Sequence, residues 1–178
     1  MKHVLLLFHH YRTPQQLGGL RSWHIGTHLR KVGYRVTAIA PGVDTLTGQK
    51  HPGLANKLWH QEEIDGVDVI RINSTANNRS SKVSRILYYL SFSILQAIAT
   101  LRTRQVDEIV VTSMPLTSVL FAYVAAKLKR VPLVLDIRDL TLDTAVDLSY
   151  FSDNILVKGL MAAEEFVFKQ ADRLITVS

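Results

Sequence analysis

Three stretches of the chain hold residue types that could do chemistry. The first is Asp136, Arg138 and Asp139, which follow the apolar run Val131-Pro132-Leu133-Val134-Leu135. A carboxylate at the end of a strand can orient a hydroxyl or accept its proton. Side chains alternate along a strand, so Asp136 and Arg138 share one direction and Asp139 takes the other. The competing reading is an ion pair that caps the strand and ties down the next loop. The second stretch is the pair Gly18 and Gly19, just before a helical pattern that starts near Arg21. Glycine lets backbone amides approach a ligand closely, and a helix N-terminus favours phosphate. A tight turn without a ligand is the alternative. Arg12 and Arg21 flank this loop and either meet an anion or lie solvated at the surface. The third stretch is His9 and His10, which either touch substrate or pack into the fold. His24 and His28 are spaced by one helical turn. No Glu follows His24 and no third ligand is in view, so the zinc-protease motif HExxH does not apply and no metal is expected.

The elements that must position these residues follow from periodicity. Residues 3–8 are apolar and read as a first strand. The spacing of Ile25, Leu29 and Val32 predicts a helix, and residues 34–40 a second strand, ended by Pro41 and Gly42. Such a βαβ unit has parallel strands and a right-handed crossover. Residues 57–64 and 67–72 flank Asp65-Gly66 and form a hairpin whose second arm joins the main sheet. Residues 81–104 form a long helix. One face carries Val83, Ile86, Leu87, Leu90, Ile94, Ala97, Ile98 and Leu101; the other carries Tyr88, Tyr89, Phe92 and Leu95. A helix apolar nearly all round is buried or meets a second apolar partner. Its uncharged core, residues 86–101, is shorter than the ~20 residues that span a membrane. Basic residues stand at both ends: Arg79, Lys82 and Arg85 before, Arg102 and Arg104 after. They fit either an interfacial helix near anionic lipid or a crossover helix with ordinary charged ends. Strands at 108–112, 133–136 and 173–177 complete the pattern. A helix opened by Pro115 at its first position, and another from Asp153 or Asn154 to about Ala171, alternate with them.

The 178 residues suit one domain with a substantial core, and the absence of cysteine excludes a disulfide scaffold. The formal charge of +6 is compatible with an anionic ligand or surface. No recognition-helix, RNP or zinc-finger pattern is present, so nucleic acid is not an expected partner. No GxSxG elbow supports hydrolase chemistry. The fold class expected is α/β, a Rossmann-like three-layer domain with a mainly parallel sheet.

Taken in order, these segments resemble the first domain of family-four glycosyltransferases of the GT-B fold. Gly18-Gly19 with Leu20-Arg21, then Leu29 to Thr37, is similar to that family's opening. Asp65-Gly66-Val67 with Val69 and Arg71 matches its "DGV-V-R" strand. Ser113-Met114-Pro115 and Val131 to Leu140 resemble the "VP-V-E-RDLWP" block of its bacterial surface-polysaccharide members. Glu164, Glu165 and Ala171 to Ser178 match the run that closes the first domain.

The resemblance implies one half of a GT-B fold, the acceptor side. Its activity would be transfer of a sugar from a nucleotide-sugar donor to a sugar or lipid-linked acceptor, with retention and with neither metal nor cofactor. It places the Gly18–Gly19 loop at the donor's diphosphate; with the residues read above, Asp139 is the catalytic candidate and Gly18, Gly19, Arg21, His10, Asp136 and Arg138 are the substrate-binding candidates. The donor would be held mainly by a second, C-terminal domain expected after Ser178, without which residues 1–178 are expected to be inactive. The expected location is the cytoplasm, with contact to the inner face of the cell membrane. Many members have His where Arg138 stands, so no histidine role carries over. Thr141-Leu142 replaces the usual Trp-Pro. A GT-B sugar-nucleotide epimerase and a non-catalytic sugar or lipid-carrier binding module are the alternatives.

Overall fold

The computed structural model describes residues 1–16, 18–44, 47–74, 82–138 and 155–176. Its elements in order are β1 (His3–Leu7), α1 (Arg21–Lys31), β2 (Arg35–Pro41), a 3-10 turn (Pro52–Leu54), β3 (Trp59–Ile64), β4 (Val67–Ile72), α2 (Lys82–Arg102), β5 (Glu108–Thr112), α3 (Leu116–Lys129), β6 (Leu133–Ile137), α4 (Ile155–Gln170) and β7 (Arg173–Thr176). The strands form one seven-stranded sheet in the order β3-β4-β2-β1-β5-β6-β7. All neighbours are parallel except the β3–β4 hairpin. That hairpin closes on Asp65 and Gly66 with φ of 50° and 78°, the doubly positive turn that glycine makes easy. Both its arms enter the sheet.

Strand alternation builds two cores. Val4, Leu6, Val36, Ala38, Val69 and Val134 face one way and meet Trp23, Ile25 and Leu29 of α1. Leu5, Leu7, Ile39, Ile70, Val111 and Leu135 face the other way and meet Phe92 of α2, Ala122 and Ala126 of α3 and Val167 of α4. Handedness explains the division. The step from β1 to β2 runs one way along the sheet and the steps from β4 through β5 and β6 to β7 run the other. Right-handed crossovers therefore place α1 on one face and α2, α3 and α4 on the opposite one. Six parallel strands, β4, β2, β1, β5, β6 and β7, end on one edge.

One expectation needs correction, and one open point is decided. Pro115 is the extended residue that precedes α3, with ψ of 150°, and not its first helical residue. The long helix also packs through its second apolar face. Tyr88 and Phe92 are fully buried, whereas Val83, Ile86, Leu87, Leu90, Ile94, Ile98 and Leu101 are exposed. Rings fill the space over the wide β2–β4 sheet surface, and the aliphatic stripe is left outside. By length and composition Val83–Arg102 could cross a membrane, but its other side is packed against sheet and α3. The expected helix caps at Ser81, Asp153 and Asn154, and the aperiodic segment 141–151, lie outside the described residues.

Candidate functional site

The chemistry-bearing residues converge on the carboxyl edge of the sheet. Asp136 sits near the end of β6 with its side chain only 2% exposed, and Arg21 opens α1. Although they are far apart in sequence, Arg21 Nη2 donates to Asp136 Oδ1 at 2.6 Å. The sheet order makes this possible, because β1 and β6 are separated by β5 alone and α1 starts over that gap. The pair is incomplete. Asp136 Oδ2 and Arg21 Nε are both buried, and neither has a hydrogen-bond partner among the described residues. A carboxylate oxygen beside a guanidinium N–H is a donor–acceptor arrangement that a sugar hydroxyl can complete.

The glycine pair divides its tasks. Gly18 has φ of +114°, and a Cβ there would lie 2.6 Å from Arg12 Nη1. The residue therefore makes room for a buried guanidinium rather than for a ligand. Nothing lies within 4 Å of the corresponding point at Gly19, whose backbone is open to approach. The first turn of α1 begins after Leu20 with no side-chain cap, so its amides remain available to an anion.

Arg12 is not a solvated surface arginine. It is buried, and its Nη2 lies 3.6 Å from Asp44 Oδ1. Arg71, at the end of β4, is buried too; its Nε donates to Glu62 Oε1 at 2.7 Å and its Nη1 to the Tyr11 carbonyl at 2.8 Å. His10, Arg12, Asp44, His51 and Arg71 line a pocket of about 300 Å³, while Arg21 and Asp136 line a separate cavity of about 700 Å³ with His24 and Val134. Burial, then the charge of Arg12 and that of Arg138, lowers the His10 imidazole to about 4. His9 is pushed to about 3, first by burial and then by His10 and Arg12. Both rings are neutral at pH 7. His9 packs among Tyr88, Tyr89 and Phe92 with centroids 5.5–6.0 Å away, which makes its ring mainly a packing element. Its Nε2 is nevertheless without a partner among the described residues.

Behind β6, the Ser113 amide donates to the Asp136 carbonyl at 2.9 Å, and the Arg138 amide donates to Ser113 Oγ at 3.4 Å. These bonds hold the strand end still. The Arg138 side chain is exposed beyond them. Gly18, Gly19, Arg21, His10, Asp136 and Arg138 thus lie along one edge. Asp139 lies outside the described residues.

Sequence reasoning missed one group. His51, His60 and Glu62 present ligand-type atoms within 4.8 Å of one another. His51 Nδ1 already accepts from the Gly53 amide, which leaves its proton on Nε2, 3.3 Å from Glu62 Oε2. That tautomer makes the group a hydrogen-bonded brace for Arg71 rather than a ready metal site. His24 and His28 are exposed on α1 and belong to no such group among the described residues.

A family model for glycosyl transferase 4-like domains matches residues 18–178. The chain belongs to this family. As a glycosyl transferase 4-like domain, its general role is the transfer of a glycosyl group. A solved sucrose-phosphate synthase from Thermosynechococcus elongatus superimposes with a TM-score of 0.54. The match covers 99% of this chain and 77% of that one at 11% identity, so it shows the shared fold. No curated protein sequence matches the chain.

Proposed function

We propose that this domain is the acceptor-side half of a retaining, metal-independent glycosyltransferase. It would move a sugar from a nucleotide-sugar donor to an acceptor hydroxyl in bacterial cell-surface polysaccharide or glycolipid synthesis. The observation that carries the reading is the incomplete Arg21–Asp136 pair on the edge that also bears Gly19 and the uncapped start of α1. In this reading Asp136 Oδ2 accepts a hydrogen bond from a sugar hydroxyl while Arg21 Nε donates to its oxygen. The amides of Gly19 and of the α1 first turn face the donor's diphosphate, where negative charge grows as the glycosidic bond breaks. A second domain supplies most of the donor's contacts. The enzyme works in the cytoplasm at the inner face of the cell membrane.

Asp139 is the proposed catalytic residue of the loop that leaves β6. The test is donor turnover by the full-length gene product over a panel of nucleotide sugars, with Asp139→Ala and Asp136→Asn alongside. Transfer that both variants reduce at least roughly a hundredfold supports the reading, since one well-placed polar group is worth about that much. Isomerised donor without transfer would indicate an epimerase. Saturable sugar binding without turnover would indicate a binding module.

A further inference from the structure

Helix α2 is built inside out. Its buried side carries Ser93, Gln96 and Thr100 beside Tyr88 and Phe92. Ser93 Oγ meets Thr117 Oγ1 of α3 at 2.9 Å, and Ser118 of α3 donates to Gln96. Its outer side is the reverse: every exposed residue from 86 to 101 is aliphatic. Ile86, Leu87, Leu90, Ile94, Ile98 and Leu101 are each between 37% and 58% exposed and recur every three or four residues in one continuous ridge. The fold gains nothing from a ridge it does not bury, and an apolar stripe of this length marks a contact surface.

Charge chooses the occupant. No Asp or Glu occurs in residues 69–106 or in α3, the helix beside α2. Arg85 and Arg102 stand exposed at the two ends of the ridge, and Lys127 is exposed on the neighbouring helix. Glu63 and Asp68 line a groove with Arg102 at the far end, but the ridge itself and α3 carry no acid, so a second copy would set basic, acid-free helices against each other, because a two-fold interface repeats the same patch on both sides. A bilayer with anionic headgroups matches both features, with acyl chains for the ridge and phosphates for the guanidinium and ammonium groups.

We infer that the outer face of α2 docks the protein on an anionic phospholipid surface. The same helix presses Tyr88, Tyr89 and Phe92 against His9 at the carboxyl edge, so a docked α2 sets the candidate site beside the membrane. What the docking serves, access to a lipid-borne acceptor, rests on the transferase reading; the docking itself does not.

The test is flotation of the full chain with vesicles of equal parts phosphatidylglycerol and phosphatidylcholine, and with phosphatidylcholine alone, in the absence of donor. Binding should require the anionic lipid, weaken in high salt, and fall at least roughly a hundredfold in Ile86→Glu/Ile94→Glu. Arg85→Glu, an exposed change that leaves the ridge intact, should weaken it roughly tenfold. Melting temperature and circular dichroism of both variants should match the parent. Failure to float overturns the inference, as does binding that both variants retain. A dimer that Ile86→Glu/Ile94→Glu converts to monomer also overturns it and assigns the ridge to a second copy. None of these results depends on sugar transfer, so failure here and failure of the transferase reading are separately visible.

Discussion

The two edges of the one sheet are made differently. At the amino edge the polar side chains are spent on the fold. Asp107 accepts from the His3 amide at 2.7 Å, His3 Nε2 meets Thr37 Oγ1 at 2.9 Å, and Asp172 accepts from the Leu133 amide at 2.8 Å. At the carboxyl edge Asp136 Oδ2, Arg21 Nε and His9 Nε2 are buried without a partner among the described residues. Each such group costs about 1–3 kcal/mol. Gln96 Nε2 and Thr100 Oγ1 of α2 also lack a partner among the described residues, but they lie inside the helix packing, whereas the three groups at the carboxyl edge lie where the parallel strands end and suit a ligand there. That edge, outside the carboxyl ends of parallel strands, is where open α/β sheets bind.

The largest expected effect on stability comes from acidifying the carboxyl edge. The folded state holds His9 at about 3 and His10 at about 4, below the ordinary 6.5. The unfolded chain therefore binds more protons, and stability falls as pH drops through 6.5 and levels off once the folded values are passed. Between pH 7 and 5 each histidine should remove about 2 kcal/mol. Urea denaturation at both pH values measures this, and His9→Phe should recover about one histidine's share. An unchanged pH dependence in that variant would mean that His9 is already charged in the fold.

At the opposite edge, Asp172→Asn should cost about 1–2 kcal/mol, because it weakens a charge-assisted bond that pins the start of β6. The contrast sharpens if this loss appears in thermal melts with no change in substrate affinity. Gly66→Ala, in the hairpin turn at the amino end of β4, should cost about 1 kcal/mol through its φ of +78°. Asp136→Asn should have the smallest effect, within about 1 kcal/mol, since Arg21 is one-third exposed and keeps access to water.

Much of the architecture was legible in the sequence because strands and turns are local. The Asp65-Gly66 turn, the first βαβ unit and the strand from Leu133 announce themselves through residue type. What could not be read was nonlocal. Two apolar faces on α2 give no periodicity that says which one packs; in the fold Tyr88 and Phe92 are the buried ones. Whether Arg12 met an anion or solvent was open in the sequence; Gly18 makes room for it inside, beside Asp44. The Arg21–Asp136 pair joins two strand-end segments that only the strand order brings together. The bracing of Arg71 by Glu62 and His51 depends on the β3–β4 register, in which His60 lies opposite Arg71.

The central claim is that the carboxyl edge is unfinished for a substrate and the amino edge is finished for the fold. Side-by-side kcat/KM and melting curves for Asp136→Asn and Asp172→Asn in the full-length gene product test it most directly. The expected result is a roughly hundredfold or greater loss of kcat/KM in Asp136→Asn with little change in Tm. Asp172→Asn should show the converse, a lower Tm and an intact kcat/KM. Equal rate losses in the two, or a rate in Asp136→Asn that matches the parent, would contradict the account.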